Sequence, residues 1–68
     1  MKDYMLFRKM TRIVMQLAET LDIKPERALI IFYGTRVCEM LHDPKYGYQI
    51  MSDTYIVNDV ISELRGVN

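Results

Sequence analysis

Apolar residues recur along the first third of the chain at steps of three and four. Leu6, Met10, Ile13, Val14, Leu17, Ala18 and Leu21 share one side of a helical period, which predicts an amphipathic helix from about Lys2 to Leu21. Met5, Phe7 and Met15 lie off that stripe. They either widen the core contact of a helix touched on two sides or form a second surface for a partner.

Turn chemistry divides the rest of the chain. Asp22–Ile23–Lys24–Pro25 stops the first helix and starts another, because proline at the first helical position loses no hydrogen bond that the helix would have made. Glu26 then falls in the first turn, where the helix dipole favours its charge. Lys24 takes the cap position without a capping oxygen, so this start is poorly sealed. Ala28, Leu29, Ile31, Phe32 and Tyr33 make the second segment apolar almost all round, which predicts a central position. Gly34 followed by Thr35 reads as a stop and a fresh start, so residues 25–42 are expected to form two short helices rather than one kinked helix. Val37, Met40 and Leu41 give the second of these its apolar side.

Asp43–Pro44–Lys45–Tyr46–Gly47 is a turn by composition. Tyr48, Gln49 and Ile50 alternate with period two, which predicts a short extended segment near residues 46–50. Ser52 caps a last helix with Asp53 in its first turn. Tyr55, Ile56, Val60, Ile61 and Leu64 would face inward, with Val57 widening the stripe, and Gly66 ends the helix in a left-handed cap. The expected fold is therefore all-α: one domain over residues 1–68, a bundle of three to four helices led by a long N-terminal one.

Composition sharpens this picture. At 68 residues the chain buries only about 60% of its unfolded surface, so its stability is marginal without reinforcement. A single cysteine excludes an internal disulfide, and Cys38 with His42 cannot complete a tetrahedral zinc site from one chain. Half of the residues are hydrophobic, including six Met and five Tyr, more than so small an interior hides. That excess favours an oligomer or a bound protein partner. Net charge is zero, which disfavours nucleic acid, since duplex affinity depends on neutralising phosphates. The charge is nonetheless polarised, with Lys2, Arg8, Lys9 and Arg12 near the start and Glu39, Asp43, Asp53, Asp59 and Glu63 in the second half. A basic head and an acidic tail suit packing within the fold or head-to-tail docking of two copies; solvated faces are the ordinary alternative. No apolar run is long enough to cross a membrane, and Arg8, Lys9 and Arg12 break up any signal-peptide core, so a cytoplasmic protein with a reduced thiol is expected.

Candidate chemistry is sparse. Cys38 and His42 are four apart and share a helical face, but a nucleophilic pair needs the thiol activated by the base and the base oriented by a third group. A cysteine in an apolar run is more often a small buried hydrophobe. Asp59 and Glu63, a like-charged pair four apart, read as a wet face rather than as an acid and a base. Tyr46 and Tyr48 flank Gly47 and either form a recognition patch or close the end of the core. No catalytic residue, metal ligand or cofactor site is assigned, and no enzymatic activity is expected.

Two stretches carry resemblances. Leu-His-Asp-Pro-Lys-Tyr-Gly-Tyr-Gln-Ile, residues 41–50, is similar to the Tyr-Gly-Tyr-x-Ile start of the second helix in PadR-like winged-helix repressors, which place a recognition helix and a two-stranded wing after it; here 18 residues follow. More broadly, Leu21-Asp-Ile-x-Pro-Glu-x-Ala-Leu, Phe32–Tyr33, Leu41-x-Asp43, Gly47 and Ser52-x-x-Tyr55 resemble an uncharacterised family of short bacterial helical proteins, over roughly residues 17–65. Some genes of that family sit beside genes resembling ADP-ribosylating toxins. The resemblance implies a small helical accessory or antitoxin-like protein with no assigned catalytic residues. The chain departs from the pattern at Lys24, where Ser or Thr is usual, and at Cys38, where an aromatic is common. The expected function is thus a non-catalytic protein–protein interaction module, bound to a protein partner or to itself as a homodimer, with Met5, Phe7, Met15, Tyr46 and Tyr48 as contact candidates. The alternative is a small helix-turn-helix DNA-binding regulator using Lys2, Arg8, Lys9, Arg12, Arg27 and Arg36.

Overall fold

The computed structural model describes residues 3–66. It contains four α-helices, α1 (Asp3–Leu21), α2 (Pro25–Tyr33), α3 (Arg36–Leu41) and α4 (Asp53–Leu64). Helix α1 packs on both α2 and α4, and α3 leans on α4. The fold is all-α, as the periodicity requires.

Helix α1 buries Met10, Ile13, Val14, Leu17 and Ala18 of its predicted stripe, with Leu6 and Leu21 half-buried at its ends. Burying each such large side chain is worth about 1.5–3 kcal/mol, which is why the stripe dictates the packing. The helix ends in a left-handed turn at Asp22, whose φ is 56°. There the Asp22 amide donates to Glu19 O and the Ile23 amide to Ala18 O, satisfying the last carbonyls while Ile23 folds back on the core.

The two short helices predicted over residues 25–42 are present. Pro25 opens α2, and Lys24 stands at its cap without a side-chain hydrogen bond. Thr35, nearly fully buried, caps α3: its hydroxyl accepts from the Cys38 amide at 3.2 Å and donates to Phe32 O at 2.7 Å, joining the end of one helix to the start of the next. Ser52 caps α4 by accepting from the Tyr55 amide, and Gly66 takes φ 75° after its end.

Three expectations need correction. Residues 46–50 are not extended. Pro44–Tyr46 and Tyr48–Ile50 are single turns of 3-10 helix, hinged at Gly47 with φ 77°. The Asp43 carboxylate accepts from the Lys45 amide and starts the first turn. A lone extended segment would find no strand to pair with among the described residues, whereas the tight turns bond their own backbone. Second, α2 is not central. Ala28 and Phe32 are buried and Ile31 half-buried, but Leu29, Ile30 and Tyr33 face outward, because a nine-residue helix against one layer of neighbours hides a single stripe. Third, on α4 the buried residues are Ile56, Val57 and Val60; Tyr55 and Leu64 lie exposed, Tyr55 at the edge beside the Tyr48 ring.

Candidate functional site

The antiparallel packing of α1 and α2 leaves a trough on their outer side. From Phe7 to Glu26 it holds about 280 Å³ and is lined by Phe7, Met10, Val14 and Met15 of α1 and by Pro25, Leu29 and Tyr33 of α2, with Thr11 and Glu26 as the polar lining residues. Phe7, Thr11 and Met15 are four apart, so they form one row along α1, while Leu29 and Tyr33 form the facing row on α2. Beyond Phe7 the trough continues past Met10, Tyr33 and Leu6 to Asp3 and His42. Exposure along it is high for such residues: Phe7 is 68%, Tyr33 58% and the neighbouring Ile30 73% exposed. A monomer this small has no reason of stability to show so much apolar surface on one side.

The contact candidates divide accordingly. Phe7 and Met15 meet in the trough. Met5 is exposed but lies outside its lining. Tyr46 is exposed on the first 3-10 turn, with the Lys45 ammonium 5.2 Å over its ring. Tyr48 turns inward against the core, and its phenol donates to Asp59 Oδ2 at 2.5 Å. Of the two readings of the tyrosine pair, Tyr48 closes the end of the core and Tyr46 faces out. Leu29, Ile30 and Tyr33 were missed as surface residues. Their signal was present, since an all-round apolar nine-residue helix has more faces than neighbours.

The basic residues also separate. Lys9 is buried, its Nζ donating to Met51 O at 2.7 Å and to Asp53 Oδ1 at 3.0 Å. Arg12 Nε donates to Asp53 Oδ2 at 2.8 Å. Basic head and acidic second half therefore meet within the fold at this point. Arg8, Arg27 and Arg36 are exposed; Lys2 lies outside the described residues.

Asp59 and Glu63 are half-buried, and each carboxylate holds a partner. Glu63 accepts from the Arg36 amide at 2.8 Å and the Val37 amide at 3.2 Å, sealing the start of α3 from across the fold, and Asp59 holds Tyr48. The hydrogen bond to Asp59, with burial and nearby negative charge, pushes the Tyr48 phenol from its ordinary value of 10.0 up to about 12. An alkaline titration followed by phenolate absorbance is expected to show one ring ionising near 12, and Asp59→Asn to return it toward 10.0. Because the folded value is the raised one, this bond supports the fold fully below pH 10.0 and is lost as pH climbs through about 12. A titration with no ring so delayed would refute the pairing.

Cys38 and His42 do share a face, but the imidazole does not address the thiol. His42 Nδ1 donates to the Cys38 carbonyl at 2.7 Å. Burial, helped by the charge of Glu39, raises the thiol pKa, which keeps Cys38 protonated and poorly nucleophilic. Among the described residues no three His, Cys, Asp or Glu side chains converge as a metal would need, and no helix is long and apolar enough to cross a membrane.

No family model, curated protein or solved structure matches the chain. The trough is thus the feature on which a functional reading rests.

Proposed function

We propose that the chain is a non-catalytic interaction module that docks a protein partner along the α1/α2 trough. The carrying observation is the convergence of Phe7, Met15, Leu29 and Tyr33 on one open, apolar channel. Every large side chain spent there is withheld from a core that needs it. Rigid aromatic and aliphatic anchors set in a shallow channel are what protein interfaces bury at their centres, with polar residues around them. An antitoxin-like accessory role in the bacterial cytoplasm is part of this proposal and rests on the sequence resemblance alone. The DNA-binding alternative is the weaker reading: Lys9 and Arg12 are occupied by Asp53, and the face that α3 turns outward carries Glu39 beside Arg36.

The test is site-specific photo-crosslinking in the native host. A photoreactive residue at Leu29 or Tyr33 is expected to give one adduct of defined mass, and the same residue at Asn58, exposed on α4, to give none. Adducts of equal yield from Asn58, or none from the trough, would sink the proposal.

A further inference from the structure

The charges of the trough say more about its occupant than its apolar floor does. Asp3 lies at one end, beside Leu6 and His42, and Glu26 at the other, beside Met15 and Pro25. Among the described residues no lysine or arginine lines either part; Arg8 and Arg27 belong to rows outside the lining, and Lys2 lies outside the described residues. The trough is thus an apolar channel with a carboxylate at each end. Along α1 it runs from Asp3 to Met15, about 18 Å at the helical rise per residue.

This arrangement bears on whether the occupant is a second copy of the chain. A two-fold pairing of troughs in antiparallel sense sets the Asp3 end of one protomer on the Glu26 end of its partner. A parallel pairing sets each end on its own equivalent. Either way carboxylate meets carboxylate, and like charges brought together at an interface oppose association. The same ends attract a partner whose charges are the reverse. An extended peptide is disfavoured as well, because its backbone would find no sheet edge among the described residues, whereas a helix satisfies its own backbone and offers apolar residues at three- and four-residue steps.

We propose that the trough receives an amphipathic helix of another protein, about three turns long, apolar along one face and carrying a lysine or arginine near each end. This rests on the docking reading above and names the occupant of that same site.

Three synthetic helical peptides of about 14 residues test it, sharing one leucine face and differing only in Lys, Gln or Glu at both ends. Fluorescence anisotropy with the full chain at about 50 mM salt is expected to rank them Lys, Gln, Glu, with about tenfold between the extremes. At about 500 mM salt the spread is expected to fall to about twofold, since exposed pairs are screened. The Asp3→Asn, Glu26→Gln double variant, its helix content checked by circular dichroism, is expected to bind the Lys peptide while losing the ranking. Equal affinities for all three peptides with the unmodified chain would overturn the charge assignment and leave the docking reading standing. Binding by none of them, together with a crosslinker at Leu29 that gives no adduct, would overturn both. A dimer of the chain that Phe7→Ser dissociates would also overturn it, by assigning the trough to a second copy.

Discussion

Replacing Phe32 by alanine is expected to leave the chain largely unfolded at 37 °C. Phe32 is 0% exposed and is among the largest side chains wholly inside the fold, set by α2 into the cluster that holds Ile13, Leu17, Leu41, Ile56 and Val60. Truncating a buried phenylalanine costs about 3–5 kcal/mol, part lost transfer energy and part cavity. At the usual 0.05–0.15 kcal/mol per residue, a 68-residue domain has roughly 3–10 kcal/mol in all, so the loss is most or all of its stability. The neighbouring Tyr33 makes the contrast. One step along the same helix its ring faces the trough, and Tyr33→Ser is expected to shift the fold by no more than about 0.5 kcal/mol, as exposed positions do. Thermal melts by far-ultraviolet circular dichroism decide the matter. An alanine variant that melts cooperatively within a few degrees of the parent would mean that the core does not turn on this ring.

The difference between Phe32 and Tyr33 also shows what one sequence can and cannot convey. The seven-residue stripe of α1 was legible because each of its members repeats the same helical phase, and so many agreeing positions leave little choice of face. The stops at Asp22 and Gly34 and the starts at Thr35 and Ser52 were legible because capping is local chemistry, completed within three or four residues. In α2 the apolar residues occur on every side, so phase carries no information, and only the position of α1 decides that Phe32 points in and Tyr33 out. The period-two signal at Tyr48–Ile50 failed for a related reason. Three residues are too few to fix a period, and the turn that Asp43 and Gly47 impose needs fewer partners than a strand. The trough was half legible: Phe7 and Met15 stood out as apolar residues off the stripe, but the facing row on α2 became visible only when the two helices were placed together. Contacts across tens of residues were legible only as a charge asymmetry that suited packing within the fold, with no pair named. Lys9, a phosphate-contact candidate by charge, is buried against a carboxylate 44 positions away, and Glu63 seals a helix 26 positions before it.

That contact of Lys9 carries the second large effect. Asp53→Asn is expected to destabilise the fold by about 1–3 kcal/mol near neutral pH, more than an ordinary surface pair contributes. The Lys9 side chain is 8% exposed and that of Asp53 24%, so the substitution leaves an ammonium nearly out of water with neutral acceptors in place of a carboxylate, the Met51 carbonyl and the asparagine amide oxygen. The full cost of orphaning a buried charge is not reached, because Arg12 is 55% exposed and gives up little when it returns to solvent. Lys9→Met is expected to cost less than Asp53→Asn, since it removes the charge that needs compensation and fills the same space. For the same reason the double variant should be more stable than the two single effects added together. The pH dependence comes from the carboxyl itself. Burial works to raise its pKa, but hydrogen bonds and attraction from Arg12 and Lys9 outweigh it and bring it below the ordinary 3.8. With the lower value in the folded state, the stabilising contribution is complete above pH 3.8 and disappears as the pH falls through the folded value. Denaturant unfolding of parent and Asp53→Asn should therefore give curves separated by a constant interval above that pH and converging below it. An interval that persists in strong acid would show that the asparagine acts through the start of α4 and not through the loss of charge beside Lys9.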